Sequence, residues 1–159
     1  MWNSTEWCRL EDERMRGKVI AVCISEKRGT QKKNVGSAVF RESWGIENDA
    51  HAGDWHRQVS LLSYDKIEAF RARGAEVDDG AFGENLVVEG IDFRSLPVGT
   101  ILDCNGVVLE MTQIGKECHS HCQIYQKMGE CIMPTEGVFA RVLRGGTISA
   151  GDLMEVRDV

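Results

Sequence analysis

The stretch LPVGTILDCNGVVLEMTQI, residues 96–114, decides the fold. Asn105-Gly106 stands between two largely apolar runs, TILDC and VVLEMTQI. That dipeptide suits a type I′ turn best, because both of its residues tolerate positive φ, so the stretch reads as a β-hairpin. Its first half, LPVGTIL, shares a pattern with ISAGDLM at 148–154: an apolar residue, two spacers, a glycine, a polar residue and two apolar ones. The pattern marks a glycine turn feeding a strand.

Outward from this hairpin, further strands follow from β-branched and apolar runs. KVIAVCI after Gly17 reads as a buried strand, GSAVF before Trp44-Gly45 as a second, RQVSLLS at 57–63 as a third, and FGENLVVEG supplies another. VFARVL and TISAGDLMEV flank Gly145-Gly146 and are expected to form a second hairpin. The clearest helix is YDKIEAFRARG, with Ser63 as its cap, Ile67 and Phe70 on one face and Gly74 as its stop. Many short strands, 17 glycines and one clear helix imply a mainly β, barrel-like domain with a few short helices.

A chain of 159 residues can bury one ordinary core. Residues 1–16, polar and aperiodic, are expected to be a disordered leader or tag remnant, and 17–159 a single domain. Hydrophobic residues at 42% and charged residues at 28% describe a globular chain. A net charge of -6 repels a polyanion, which argues against a nucleic-acid partner. The sequence has neither an apolar run of the roughly 20 residues a membrane helix requires nor a signal peptide. A cytoplasmic protein is therefore expected, whose six cysteines stay reduced and invite metal or thiolate chemistry rather than disulfides.

The densest reactive cluster is IGKECHSHCQIYQKMGEC, residues 114–131, which brings Cys118, His119, His121, Cys122 and Cys131 into one short run after a strand. Thiolates and imidazoles are zinc ligands, and C-x3-C with a later cysteine offers three of the four that a tetrahedral site needs. Alternatively one cysteine is a nucleophile, its thiolate favoured by Lys116 and a protonated His119 or His121, able to carry a persulfide or ligate molybdenum. Cysteines also serve as small inert core residues. That role suits Cys23 and Cys104, which lie in strand patterns, better than Cys118.

A second cluster, GIENDAHAGDWHRQVSLLS at 45–63, holds His51 and His56 beside Asp49, Asp54, Arg57 and Gln58. His51 suits acid–base or metal chemistry, and the planar fork of Arg57 suits a phosphate or carboxylate. Asp54 and His56 can equally serve only to hydrogen-bond the turn. In FGENL, Glu84 and Asn85 either satisfy backbone groups at a strand entry or face the same cavity. The basic stretch EKRGTQKKN, with Lys27, Arg28, Lys32 and Lys33, is either an anion-binding loop or a solvated one.

Taken in order, this basic loop, GIENDAHAGDWHRQVSLL, FGENLVVEGID, LPVGTIL, TQIGKEC and GVFARVLRGGTISAGD resemble the MOSC domain, the module named for the C-terminus of molybdenum cofactor sulfurases. The resemblance runs from about residue 17 to residue 156. It implies a β-barrel-like fold and one functional cysteine after a strand, which falls on Cys118. It further implies either sulfur carriage as a cysteine persulfide or binding of the molybdenum cofactor with reduction of N-hydroxylated compounds. The persulfide sulfur would come from a pyridoxal-phosphate-dependent cysteine desulfurase and pass to the molybdenum cofactor or an apo-molybdoenzyme. By the same carry-over His51, Asp54, Arg57, Gln58, Glu84 and Asn85 would line the cleft around Cys118, and Lys27, Lys32 and Arg57 would meet the cofactor phosphate or a carboxylate. Cys122 and Cys131 exceed what the family pattern needs; with the neighbouring histidines they leave zinc as an alternative ligand of this segment.

Overall fold

The computed structural model describes residues 16–28, 30–115 and 136–158. Its strands are β1 (Arg16–Ile24), β2 (Lys33–Asn34), β3 (Ser37–Arg41), β4 (Gly45–Ile46), β5 (Val59–Ser63), β6 (Leu86–Glu89), β7 (Ile101–Cys104), β8 (Val107–Ile114), β9 (Val138–Arg144), β10 (Gly146–Ser149) and β11 (Leu153–Asp158). One helix, α1 (Tyr64–Ala72), follows β5, and a 3-10 turn covers Phe93–Ser95. The strand order β11-β7-β8-β9-β5-β6-β1, closed by a β11–β1 pairing, makes a seven-stranded barrel. β2 extends β1, and β10-β3-β4 form a separate small sheet. Closure removes the exposed edges that an open sheet of this size would present.

Asn105 and Gly106 have φ of 52° and 85°, and Cys104 pairs with Val107 across them, the expected I′ hairpin. Along β8, Val107, Leu109 and Met111 enter the barrel core at alternate positions. β5 is buried at every residue: Val59 and Leu61 face the barrel interior, while Leu62 joins a second core with Ile67 and Phe70 of α1. A strand covered on both faces needs no polar alternation, which is why VSLLS is a nearly continuous apolar run. In β1 the register shifts between Val19 and Ala21, so Val19 and Val22 both reach the barrel core while Ala21 and Cys23 face the helix side. Such a bulge bends the strand and helps the sheet close.

Two expectations are corrected. VFARVL and TISAGDLMEV do not pair with each other: β9 lies between β8 and β5, whereas β10 pairs with β3, Gly146 opposite Phe40. A Cβ on Gly145 would stand 2.5 Å from the Phe40 carbonyl, so this glycine permits a close backbone crossing rather than a hairpin turn. TISAGDLMEV is also two strands, broken by a turn in which Asp152 accepts from the Ser149 amide at 2.8 Å and Gly151 has φ of 99°. Ser63 occupies the helix N-cap position, yet its side chain makes no capping hydrogen bond and the residue closes β5. Gly74, at φ of 102°, ends the helix as expected, its amide donating to the Arg71 carbonyl at 2.9 Å.

Candidate functional site

The loop between β4 and β5, residues 47–58, ties the ends of β1 and β8 together. At β1, the Ala50 amide donates to the Ser25 carbonyl at 2.8 Å, and the Ser25 amide donates to Asp49 Oδ1 at 3.1 Å. Asp49 is paired with Lys32, Nζ to Oδ1 2.7 Å, and both side chains are fully buried. Lys32 Nζ also reaches Ser25 Oγ at 3.1 Å, and Asp49 Oδ2 accepts the His51 amide at 3.2 Å. The pair therefore fixes the loop on which His51 sits, with His51 Nδ1 4.0 Å from Asp49 Oδ2.

At β8, the Thr112 hydroxyl donates to the His56 carbonyl, Gln113 Oε1 accepts Arg57 Nε at 3.1 Å, and His56 Nε2 lies 2.8 Å from the same oxygen. Gln113 Nε2 in turn donates to the Gly115 carbonyl at 2.8 Å. Trp55 stands between these anchors, its Nε1 donating to the His51 carbonyl at 2.8 Å. The Arg28 guanidinium lies 4.8 Å from the Trp55 ring centre, and Arg57 lies 6.0 Å from that ring and 5.3 Å from the ring of Phe139. Guanidiniums on aromatic faces keep their charge while burying little of it. Neither Arg28 nor Arg57 pairs with a carboxylate among the described residues, on a protein of net charge -6.

Of the residues singled out from sequence, the structure gathers His51 and Arg57 on this loop, with Asp54 exposed beside them. Lys27 is exposed on the neighbouring β1–β2 turn, where its carbonyl accepts the Thr30 hydroxyl at 2.8 Å. Lys32 is committed to Asp49. Gln58 bridges backbone groups, donating to the Gly53 carbonyl at 2.9 Å and accepting the Val142 amide at 2.9 Å. Asn85, fully buried, accepts the Ser60 amide at 2.9 Å and donates to the Cys23 carbonyl at 2.9 Å, joining β5 to β1. Cys118, His119, His121, Cys122 and Cys131 lie outside the described residues. Cys23 and Cys104 are buried, and burial pushes both thiols up, that of Cys104 to about 12, as suits inert core residues. Arg28 came only with the basic stretch as a whole, and Trp55 and Gln113 were not among the residues singled out. Trp55 had a signal, an aromatic inside the polar run HAGDWHRQ, but Gln113 had none.

Glu84 is fully buried and accepts the Gly80 and Phe82 amides, each at 3.0 Å. Burial outweighs these donors and lifts its carboxyl to about 7 from 4.5. The folded chain thus holds a proton that the unfolded chain releases near the ordinary value. The resulting stabilisation, about 3 kcal/mol, is complete below that value and is lost as pH rises through the folded one. We expect Glu84→Gln to flatten the fall in stability between pH 4.5 and 7, read from urea denaturation across that range. An unchanged slope in the variant would contradict this origin.

The fold and loop together define the class as a closed seven-stranded β-barrel domain with a polar, cation-bearing loop packed on two strand ends. The MOSC family model matches residues 48–155, and the chain belongs to that family. Among solved structures, the YuaD protein from Bacillus subtilis is similar in fold, with TM-score 0.77 and 20% identity, covering 91% of this chain and 97% of that one. YiiM from Geobacillus stearothermophilus (TM-score 0.67, 16% identity, 89% and 75% covered) and YiiM from Escherichia coli (0.62, 21%, 91% and 71%) share it as well. No curated protein sequence matches significantly. Among the described residues no helix is long and apolar enough to cross a membrane.

Proposed function

We propose that the chain is a sulfur-carrier or sulfurtransferase module for molybdenum-cofactor or metal-sulfur-centre biosynthesis, acting through a persulfide on Cys118. The observation that carries this reading is the position of Gln113 and Gly115. The loop with Arg57, His56 and Trp55 is bonded to β8 at its end, and the chain passes from there, three residues after Gly115, to Cys118. Guanidiniums near a sulfur favour its thiolate or persulfide anion over the protonated form. A pyridoxal-phosphate-dependent cysteine desulfurase is the sulfur donor in this reading, and the molybdenum cofactor or an apo-molybdoenzyme the acceptor. Cys122, four residues after Cys118 in sequence, would then displace the sulfur from Cys118 and form a transient disulfide with it.

The test is persulfide formation with such a desulfurase and cysteine, followed by peptide mapping. Cys118→Ser is expected to abolish the labile sulfur adduct and Cys23→Ser to leave it intact. An adduct retained in Cys118→Ser would sink the assignment.

A second reading, a molybdenum-cofactor-dependent reductase of N-hydroxylated compounds, is favoured by one observation. Arg28 and Arg57 have no carboxylate partner among the described residues, which fits an anionic group such as the cofactor phosphate. When bound, that cofactor would supply a redox-active metal. Pterin fluorescence after acid oxidation of protein from a cofactor-producing host would favour this reading, and its absence the carrier.

A further inference from the structure

We propose that His56 is the proton acceptor of this site and that Gln113 is the residue that positions it. The inference rests on the reading of the loop as part of the functional site. It begins from the orientation of one amide. The Gly115 carbonyl can only accept, so the Gln113 atom 2.8 Å from it is the NH2 group. The other atom is therefore the oxygen, and the Arg57 Nε–H at 3.1 Å, which can only donate, requires the same assignment. His56 Nε2 lies 2.8 Å from that oxygen and must carry a proton to bond it. In the neutral ring this leaves Nδ1 as the one basic nitrogen.

Among the described residues, the rest of the surroundings hold His56 in place without occupying Nδ1. Thr112 bonds its carbonyl, and Trp55 meets its ring edge-on at a centroid distance of 6.0 Å. His56 is exposed, and among the described residues Nδ1 has no hydrogen-bond partner and no carboxylate pairs with the ring. The charged groups around it are Arg57, which shares the Gln113 oxygen, the exposed Asp54 two residues before it, and Arg28 of the β1–β2 turn, which lies over Trp55. Proton transfer is simple to balance. An acidic group X–H bound at the site gives its proton to Nδ1, the bonding electron pair stays on X, and the imidazole becomes an imidazolium held by Gln113. Gln113 touches no reacting atom in this scheme and acts through the tautomer it selects.

The experiment is a two-bond proton–nitrogen NMR correlation on the nitrogen-15-labelled full chain, above the titration of its four histidines, with His56→Gln identifying the His56 signals. A pyridine-type Nδ1 and a pyrrole-type Nε2 are expected. Gln113→Leu is expected to shift both signals toward a tautomer mixture, and Gln113→Glu, which keeps the acceptor, to retain the wild-type pattern. A pyrrole-type Nδ1 in the wild type or in Gln113→Glu overturns the proposal, as does an unchanged pattern in Gln113→Leu. In the persulfide assay, His56→Gln keeps a donor for Gln113 but has no basic nitrogen. It is expected to lower the rate about 100-fold and to lose the wild-type pH profile. An unchanged rate and profile there would remove the proton-acceptor role. Failure of the wild-type chain to form any persulfide would instead sink the carrier reading, and the imidazole spectrum would still decide this one.

Discussion

Replacing Lys32 with methionine is expected to destabilise the protein by about 3–5 kcal/mol, because it leaves the Asp49 carboxylate buried and uncompensated. Both side chains are inaccessible to solvent, so no water substitutes for the lost ammonium. The cost should concentrate in the loop. Asp49 holds the amides of Ser25 and His51, and a carboxylate that moves outward for water releases both. Methionine matches the lysine stem in length and keeps its apolar contacts, so the loss reports the charge rather than a cavity. Urea denaturation of the single variants and of Lys32→Met/Asp49→Asn checks this. The double variant is expected to be more stable than Lys32→Met alone, since asparagine is neutral and keeps one acceptor oxygen for the amides. Additive losses would show that the pair is not coupled.

Lys32 also shows where sequence reading stops. A basic stretch on an acidic chain reads as a solvated or anion-binding loop, and Lys27 and Arg28 are indeed exposed. Lys32 differs only because Asp49, 17 residues further on, folds over it, and no local pattern announces such a partner. Asn105-Gly106 was legible because its conformational demand is local, met by the two residues themselves. Gly145-Gly146 looked alike and was not, since Gly145 answers to the Phe40 carbonyl more than a hundred residues away in sequence. Gln113 shows the same limit within a strand. Strict alternation from Val107, Leu109 and Met111 would send it into the barrel, but the register shifts between Met111 and Gln113 and the side chain meets Arg57 and His56 instead.

Those contacts change how the charge of the molecule is read. Net charge alone argues against a polyanion partner, yet it averages over the whole chain, in which Lys32 and Asp49 cancel in the interior. What remains around the loop is Arg28 and Arg57 on one tryptophan, with the exposed Asp54 beside them and His51 and His56 on either side of Trp55 in sequence. A small anion at Trp55 meets the field of two guanidiniums on a protein that is acidic as a whole. The fold contributes by holding that field in place: Trp55 is fixed by the His51 carbonyl and Arg57 by β8.

Gly80→Ala is expected to cost about 2–5 kcal/mol, far more than the usual glycine-to-alanine change in a loop. Two effects add. Gly80 has φ of 95°, where a Cβ is strained, and that Cβ would stand 2.2 Å from the Lys32 carbonyl oxygen. The obstacle is backbone, so no rotamer relieves it, and the Lys32 amide already donates to the Gly80 carbonyl at 2.9 Å. Relief requires the two segments to part, which breaks that bond and moves the lysine away from Asp49. It also pulls the Gly80 amide from Glu84, whose carboxyl has only backbone amides as hydrogen-bond partners among the described residues. Gly83 supplies the control. Its φ is 84° and nothing lies within 4 Å of its Cβ position, so Gly83→Ala carries the conformational strain alone, about 1 kcal/mol. Denaturation of the two variants side by side separates the effects. Equal losses would mean that the approach of Gly80 to Lys32 does not hold the loop. A larger loss at Gly80, shrinking when Lys32→Met is already present, would place both residues in one cooperative unit beneath the site.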